Sequence, residues 1–325
     1  MSNINWGIIG CGNVTEKKSG PAFNKVPNSK LIAVMRRNAE KAADYANRHK
    51  VPKWYSDGDE ILNDDEINSV YIATPPASHI DYALAALAKG LNVYIEKPVT
   101  LNAAEANTIA QAAKQSTGKV AVAHYRRQQP MFLKVKALID SEAIGDVRTV
   151  EIRMWQSPRP QLITHLEDNW RVDPALSGGG YFHDLSPHQL DLMLYFFGEP
   201  VYYSGRGLNQ SGLYGCDDHV SGQLIFDSGV VVNGSWAFNV AESESIDECL
   251  IIGSKGSISF PFFGHSVTTR IEGIEDITDY PALEHVQQPM IEKVVSYFNG
   301  QGDNPCSIDE AATVMKIIDA FSKPV

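Results

Sequence analysis

Short apolar segments alternate with helical patterns through the first 124 residues. Runs rich in Val and Ile predict β-strands over 4–10, 30–35, 69–73, 92–95 and 119–123. Between them, Ala-rich periodic segments predict helices over 38–49, 79–89 and 102–115. Because strands and helices alternate, right-handed crossovers and a parallel sheet are expected. Residues 1–124 are therefore predicted to form a doubly wound, Rossmann-type domain in an α/β protein.

The pattern changes after residue 123. A helix is predicted over 131–141 and another over 185–197, and strands are predicted over 147–155, 198–208, 219–226, 229–239, 248–252 and 257–260. Asp227-Ser228-Gly229 is a turn signal typical of antiparallel neighbours. Residues 125–325 are thus predicted to form an α+β domain with a large, mostly antiparallel open sheet.

The last predicted helix, over 307–322, begins with a Ser-x-x-Glu capping box formed by Ser307 and Glu310. Its apolar residues form a single stripe along one face. We expect this helix to pack back toward the first domain.

Composition narrows the classes of function. The chain has 325 residues, 43% of them hydrophobic, which suits two soluble domains, and it holds no apolar run of the roughly 18 residues that a membrane span needs. The N-terminus carries no pattern of a secretory signal, and the four cysteines are scattered, so a cytoplasmic location is expected. A net charge of −11 disfavours nucleic acid as a partner and favours small-molecule chemistry.

The first strand ends in a turn with two glycines, Gly10 and Gly12. In dinucleotide-binding turns the first glycine allows the tight bend and the second lets the backbone approach the pyrophosphate. Asn13 and Val14 then open a helix whose N–H groups can bind the phosphates. Thr15 stands where a third small residue is usual, and Gly20-Pro21 predicts a short or kinked first helix. Taken alone, this turn fits any α/β protein.

Two arginines, Arg36 and Arg37, end the second strand, where NAD-binding domains carry an acidic residue. A guanidinium group binds a 2′-phosphate as a fork, which favours NADP(H) and leaves NAD(H) possible. Alternatively, the two arginines form a solvated basic pair before the next helix.

Further candidates for chemistry lie at the end of the fourth strand and in a later helix. Lys97 ends the strand at the carboxyl edge of the sheet, where doubly wound folds bind ligands. Asp184 and His188 are four residues apart and share one helix face. His183 and Asp191 would complete a set of metal ligands, but the adjacent His183 and Asp184 diverge on a helix, so no metal is expected.

These residues and their order resemble the family of glucose-fructose oxidoreductase, inositol dehydrogenase and MocA (Gfo/Idh/MocA). The shared motifs are Gly-x-Gly, Ala73-Thr74-Pro75-Pro76 with His79, Glu96-Lys97-Pro98, Tyr125-Arg126-Arg127, Gly145-Asp146-Val147 and the segment from Gly178 to His188. The resemblance implies that Lys97, Asp184 and His188 form the catalytic group. It also implies that the cofactor lies near Thr74, Pro75, His79, Glu96, Lys97 and Arg126.

The chemistry of these side chains agrees with an oxidoreductase that acts on CH–OH groups. Imidazole titrates near neutral pH, so His188 is the expected acid/base, Asp184 would orient its ring, and Lys97 would bind the reacting oxygen. Trp170 and Arg171 are expected to contact a sugar, a sugar-derived ketone or a polyol. The resemblance implies that Arg126 also lies near the substrate. Trp155 and Phe182 are interpreted as core residues.

Two alternatives stay open at this point. Some relatives in the family cleave glycosides with a bound NAD, and others sense dinucleotides without catalysis. The sequence also leaves the direction of the reaction open. In the family, the open sheet of the second domain commonly forms an interface, which implies a homodimer or a homotetramer.

Overall fold

The computed structural model describes residues 3–163 and 169–322. The chain divides into two compact units, the first formed by residues 1–126 and 283–312, the second by residues 127–282 and 313–325. The segment 283–312 falls within the predicted second domain. The structure assigns it to the first unit, in which, for example, the side chain of Lys119 donates a hydrogen bond to the carbonyl of Tyr297 (2.7 Å).

The described residues form fourteen strands and ten α-helices. The strands are β1 (Ile4–Ile9), β2 (Ser29–Met35), β3 (Lys53–Tyr55), β4 (Ser69–Ile72), β5 (Asn92–Ile95), β6 (Val120–Val122), β7 (Val147–Trp155), β8 (Pro200–Leu208), β9 (His219–Phe226), β10 (Val231–Ala237), β11 (Ile246–Gly253), β12 (Gly256–Phe260), β13 (Ser266–Ile271) and β14 (Ile274–Asp279). The helices are α1 (Asn13–Lys17), α2 (Ala39–His49), α3 (Gly58–Leu62), α4 (His79–Ala88), α5 (Ala103–Gln115), α6 (Pro130–Asp140), α7 (Pro174–Ser177), α8 (Gly180–Phe197), α9 (Gln288–Phe298) and α10 (Ile308–Phe321).

Within the described residues, the first unit contains a six-stranded parallel sheet in the order β3-β2-β1-β4-β5-β6. This doubly wound order confirms the predicted Rossmann-type fold. The strand order reverses between β1 and β4, so the carboxyl ends of these strands border the crevice in which such sheets bind ligands. Strand β3 and helix α3, which are only three and five residues long, were not predicted.

Helix α1 is five residues long, which confirms the predicted short first helix. Thr15 is fully buried, and its carbonyl accepts a hydrogen bond from the hydroxyl of Tyr45 (2.8 Å). The backbone at Gly20 lies close to both of these groups. A Cβ at Gly20 would lie 2.2 Å from the Tyr45 oxygen and 2.3 Å from the Thr15 carbonyl oxygen, so this position requires glycine. Gly20 thus provides close packing at this helix.

The second unit contains an eight-stranded sheet in the order β14-β13-β12-β11-β7-β10-β9-β8. Strands β7 and β10 are parallel and every other described pair in this sheet is antiparallel, which confirms the predicted α+β organisation. The turn at Asp227-Ser228-Gly229 joins the antiparallel pair β9 and β10, as predicted. Strands β13 and β14 were not predicted. Every residue of β14 is exposed, so it carries no apolar face for a pattern to reveal.

Helix α8 begins at Gly180, five residues before the predicted start at Leu185. Gly180 has a φ of +76°, and a Cβ there would lie 2.7 Å from the Cβ of Cys216, so glycine suits this first position. Pro187 lies inside the helix rather than in its first turn. Nearly all of α8 is buried, and the helix runs without a break through both Asp184 and His188.

The two aromatic residues interpreted as core behave differently. Phe182 is fully buried, and its ring packs edge-on against Trp236 at 5.3 Å, which confirms that interpretation. The core interpretation of Trp155 is wrong. It is only half-buried, and its indole donates to the hydroxyl of Ser235 (3.1 Å) on the face of the sheet opposite the buried Met154, because neighbouring strand residues alternate between faces.

Helix α10 begins with the predicted capping box. The Ser307 hydroxyl accepts from the Glu310 N–H (3.2 Å), and the Glu310 carboxylate accepts from the Ser307 N–H (2.9 Å). Residues of α10 up to Ala312 belong to the first unit and the remainder to the second. Phe321, in the second unit, occupies the space above Gly205 and Gly222. No helix among residues 3–163 and 169–322 is long and apolar enough to cross a membrane.

Candidate active site

The glycine turn after β1 leaves open space at one position. The N–H groups of Gly10 and Cys11 donate to the carbonyl of Met35 (2.9 and 3.1 Å), which fixes the turn. A Cβ at Gly12 would meet nothing closer than the Gly10 carbonyl oxygen at 3.9 Å. The space above Gly12, next to Asn13 and Val14 in the first turn of α1, therefore fits the pyrophosphate of a dinucleotide.

Arg36 and Arg37 follow β2 beside this turn. The Arg36 guanidinium donates to the carbonyl of Cys11 (3.3 Å) and is half-buried, whereas Arg37 is exposed. The next residue, Asn38, uses its side chain to cap α2 by accepting from the Lys41 N–H (2.9 Å). The two arginines are therefore the groups at this strand end that suit an anion.

The loop after β4 contains Thr74, Pro75 and His79. Thr74 and Pro75 are partly exposed, but His79 is fully buried. One ring nitrogen of His79 lies 2.8 Å from the Thr74 carbonyl, and the other lies 3.1 and 3.2 Å from the carbonyls of Pro98 and Val99. Burial lowers the pKa of His79. Its ring thus ties the loop after β4 to the turn after β5.

The turn after β5 contains Glu96, Lys97 and Pro98, with a cis peptide bond before the proline. Lys97 is partly exposed, whereas Glu96 is buried. The Glu96 carboxylate accepts hydrogen bonds from the Tyr71 hydroxyl, the Gln287 side-chain amide and the Lys97 N–H (3.1 Å for the last). Glu96 was expected near the cofactor. Its carboxylate instead accepts hydrogen bonds from residues inside the first unit.

This buried network was not predicted from the sequence. Its one signal is that β4 and β5 both read Val-Tyr-Ile, and Tyr71 and Tyr94 pair in register. Gln287 lies 191 residues beyond Glu96, so nothing in the local sequence relates the two.

In the second unit, α8 carries the predicted Asp184 and His188. Both are buried, with exposures of 6% and 3%. The Arg171 side chain donates from Nε to the Asp184 carboxylate (2.8 Å), and its guanidinium carbon lies 4.7 Å from the centre of the Trp170 ring. Trp170 and Arg171 belong to a short 3-10 helix. The predicted substrate residues of this unit therefore lie together with Asp184.

One turn beyond His188, Asp191 forms a buried ion pair with Arg127, with nitrogen-to-oxygen distances of 2.8 to 3.1 Å. The His188 ring packs edge-on against Phe263 at 5.6 Å. Asp184 and Asp191 were considered above as metal ligands, and each is bound by an arginine guanidinium group. An arginine at each carboxylate supplies the positive charge that a cation would otherwise provide.

The predicted site residues fall into two groups. Those of the first unit lie at the carboxyl ends of its strands or start the next element; they are Gly10, Gly12, Asn13, Val14, Arg36, Arg37, Thr74, Pro75, His79, Glu96, Lys97 and Arg126. Arg126 is buried, with its guanidinium carbon 5.6 Å from the Tyr125 ring. The second unit holds Trp170, Arg171, Asp184 and His188. The predicted site residues are thus divided between the two units.

Known proteins resemble this chain along nearly its whole length. Residues 4–124 match the family described as oxidoreductase family, NAD-binding Rossmann fold, and residues 132–259 match the GFO/IDH/MocA C-terminal domain. Oxidoreductase P35 of Formosa agariphila is 52% identical over 320 residues, which cover 98% of each chain. The 1,5-anhydro-D-fructose reductase of Ensifer adhaerens is 25% identical over 267 residues, covering 82% of this chain and 77% of the relative.

Solved structures share the fold. A levoglucosan dehydrogenase in complex with NADH and levoglucosan aligns with a TM-score of 0.85 at 22% identity, covering 98% of this chain and 96% of that one. The parallel sheet with its glycine turn, the second unit with its antiparallel sheet and the identity to Oxidoreductase P35 lead to one family. The chain is an oxidoreductase with an NAD-binding Rossmann domain and belongs to the Gfo/Idh/MocA family.

Proposed function

We propose that this protein is an NADP-dependent oxidoreductase that transfers hydride between the nicotinamide and a carbinol or carbonyl carbon of a sugar, a sugar-derived ketone or a polyol. The observation that carries this proposal is the placement of Lys97. It follows β5 at the carboxyl edge of a dinucleotide-binding sheet and stays partly exposed, although the residues on either side of it are buried. Asp184 and His188, one turn apart on α8, supply the remaining groups.

Each residue of the catalytic group has a separate role in the proposed reaction. When bound, the cofactor supplies the hydride chemistry. His188 takes the hydroxyl proton during oxidation and returns it during reduction. Lys97 donates a hydrogen bond to the reacting oxygen and stabilises negative charge there. Asp184 holds negative charge near the imidazole, and Arg171 fixes the direction of that carboxylate. Trp170, Arg171 and Arg126 are the proposed substrate contacts.

Two observations support the proposed substrate class. One relative is named for 1,5-anhydro-D-fructose, and a structure of similar fold holds levoglucosan. Trp170 also offers an aromatic surface of the kind on which sugar C–H groups pack.

The catalytic roles can be tested by substitution and a substrate screen. Oxidation and reduction of aldoses, osones, anhydro-sugars and inositols are followed at the NADPH absorbance band. Lys97→Ala and His188→Ala should each lower kcat by about 100-fold or more, because a positioned acid or base contributes that much, while the Kd for NADP stays nearly unchanged. Lys134→Ala, at an exposed position of α6, is the control. Wild-type turnover in both Lys97→Ala and His188→Ala would overturn the mechanism.

The preference for NADP depends on Arg36 and Arg37. Arg36→Ala and Arg37→Ala should raise the Kd for NADP by about 10-fold in at least one variant and leave the Kd for NAD unchanged, since only NADP carries the 2′-phosphate. Arg48→Ala is the matched control, because the Arg48 guanidinium is already bound by Glu16 and Asp44. A wild-type protein that binds NADP no better than NAD would refute the preference.

The proposal includes a homodimer or homotetramer formed through the second unit, with a small molecule as the substrate. The four cysteines, Cys11, Cys216, Cys249 and Cys306, are buried free thiols. Free thiols are typical of a reducing compartment, which supports a cytoplasmic location as part of this proposal.

A further inference from the structure

Glu96 is a buried carboxylate whose described partners are all neutral donors. Its exposure is 5%, and Tyr71, Tyr94 and Gln287 around it are fully buried. The Tyr71 hydroxyl and the Gln287 amide both donate to Oε1, and the Lys97 N–H donates to Oε2. Both carboxylate oxygens of Glu96 therefore act as hydrogen-bond acceptors.

The hydrogen bonds of the outer residues all run toward this carboxylate. The Tyr94 hydroxyl donates to Gln287 Oε1 (3.3 Å), and the Gln287 amide also donates to the Tyr71 oxygen (3.3 Å). Burial next to Glu96 raises the pKa of Tyr71 well above its usual range, so its hydroxyl keeps its proton and remains a donor. The network therefore holds the Glu96 carboxylate immediately beside the Lys97 backbone.

Gln287 is placed in this network by its backbone. Its N–H donates to the Lys18 carbonyl (3.1 Å), and its carbonyl accepts from Ile291 at the start of α9. Gln287 is the N-cap residue of α9, but its side chain forms no capping hydrogen bond. An N-cap side chain usually accepts from the first turn of its helix. Here the side chain points instead to Glu96 and the two tyrosines.

We propose that Tyr71 and Gln287 are positioning residues for Lys97. They fix the Glu96 carboxylate at the end of β5, and this carboxylate accepts from the Lys97 N–H and so sets the direction in which the lysine leaves the sheet. The proposal rests on the proposed function only in taking Lys97 as a catalytic residue. It assigns to Glu96 a role inside the sheet, distinct from direct contact with the cofactor.

Tyr94 provides a matched control. Tyr71 and Tyr94 are both fully buried, pair in register on neighbouring strands and stack at 5.2 Å. Either Tyr→Phe substitution removes one buried hydroxyl. Only the Tyr71 hydroxyl donates directly to Glu96, whereas the Tyr94 hydroxyl reaches it through Gln287. A role in packing alone would affect the two variants alike.

The test compares Tyr71→Phe, Tyr94→Phe, Gln287→Leu and Lys97→Ala in the full chain. We measure kcat with the best substrate of the screen, the Kd for NADP and the midpoint of thermal unfolding. Tyr71→Phe should lower kcat by about 10-fold with an unchanged Kd, and Tyr94→Phe should stay within about twofold of wild type. In the Lys97→Ala background, Tyr71→Phe should cause no further loss of kcat, because both changes act through the same lysine.

The outcomes separate this inference from the proposed function. Equal kcat values for Tyr71→Phe and Tyr94→Phe, with Lys97→Ala inactive, would overturn the positioning role alone. A rise in the Kd for NADP with an unchanged kcat would also overturn it, since Glu96 would then serve the cofactor. Wild-type turnover in Lys97→Ala would overturn the proposed function itself. If Tyr71→Phe does not fold, Gln287→Leu takes its place, and a kcat equal to that of Tyr94→Phe would count against the role.

Discussion

Gly10 and Gly12 lie two residues apart, but each is glycine for a different reason. Gly10 has a φ of +95°, and a Cβ there would lie 2.7 Å from the Thr74 backbone nitrogen. Gly12 has a φ of −119°, which any residue adopts, and the space around it is open. Folding therefore requires glycine at position 10, whereas the bound cofactor would require it at position 12.

This difference predicts that alanine at position 10 affects stability, whereas alanine at position 12 affects cofactor affinity. Gly10→Ala should lower the free energy of unfolding by about 1–3 kcal/mol, because it forces a strained backbone and a backbone clash. Gly12→Ala should change stability by less than about 0.5 kcal/mol but raise the Kd for NADP at least about 10-fold, since its methyl group would occupy the phosphate space. Denaturant unfolding and cofactor titration measure the two effects. A Gly12→Ala variant with wild-type cofactor affinity would show that the phosphates lie elsewhere.

The carboxylate of Glu16, in α1, is bound by two basic side chains, so its contribution to stability depends on pH. The Arg48 guanidinium binds its carboxylate with two hydrogen bonds (2.8 and 2.9 Å), and a ring nitrogen of His49 lies 2.8 Å from it. The hydrogen bonds from Arg48 are the main cause that lowers the pKa of Glu16 from 4.5 to about 2. Since the folded pKa lies below the unfolded one, the stabilisation is present above pH 4.5 and is lost as pH falls toward 2.

The corresponding prediction concerns Glu16→Gln. Its thermal midpoint should lie below that of the wild type at neutral pH, and the difference should shrink as pH falls from about 4.5 toward about 2. Asp65→Asn, a change at an exposed loop position, is the control. Thermal scans across this pH range provide the measurement. A difference that stays constant over the range would show that the ion pair does not stabilise the fold.

At the scale of elements, one ion pair joins the segment after β6 to the middle of α8. Arg127 and Asp191 have side-chain exposures of 3% and 1%, and the guanidinium carbon of Arg127 lies 5.5 Å from the centre of the Tyr195 ring. Asp191 follows His188 on the same helix by one turn, so this pair fixes the helix that carries the proposed acid/base.

Removing one charge of this ion pair should lower the free energy of unfolding more than removing both charges. Asp191→Leu should destabilise the protein by about 3–5 kcal/mol, because it leaves a buried guanidinium without its anion. The double variant Arg127→Met, Asp191→Leu should recover most of this loss, since no unpaired charge remains. Denaturant unfolding of the two single variants and the double variant tests the coupling. Additive losses would show that the two charges do not stabilise each other.

The sequence predicted those elements whose apolar pattern is strong. Strands β1, β2, β4 and β5 are short, buried and rich in Val and Ile, so their pattern was sufficient. Strand β14 carries no apolar face, and α8 starts at a glycine whose positive φ no periodicity reveals. Local patterns thus predict elements that bury one face, and they miss elements defined by long-range contacts.

The residues of the site also divide into those that a local pattern predicts and those that only the tertiary fold brings together. Lys97, Asp184 and His188 are motif residues, and the sequence singled them out. The partners of the neighbouring carboxylates were not predictable, because Gln287 meets Glu96 across 191 residues and Arg127 meets Asp191 across 64. Such pairs depend on the tertiary fold, which a single sequence does not display.

At the scale of the whole molecule, one face of the eight-stranded sheet presents apolar residues to solvent. We call it the open face; it is the face opposite the buried Val150, Ile152 and Met154. Strand registers place on it Trp155, Tyr202, Ile225, Val231, Leu250, Ile252 and Ile277. Tyr202, Ile252 and Ile277 have exposures of 51%, 37% and 59%. A surface of this kind is typical of an interface between copies of a chain.

Strand β14 supplies a matched pair for testing self-association. Ile277 lies on the open face, whereas Ile274 pairs with Ile271 on the opposite face and is 72% exposed. Ile252→Lys and Ile277→Lys should shift the proposed dimer or tetramer toward monomer, because each would bury a charge in the proposed interface, whereas Ile274→Lys should not. Sedimentation velocity over a range of concentrations measures the assembly. A wild-type protein that stays monomeric, or a loss of assembly caused equally by Ile274→Lys, would show that the open face is not the interface.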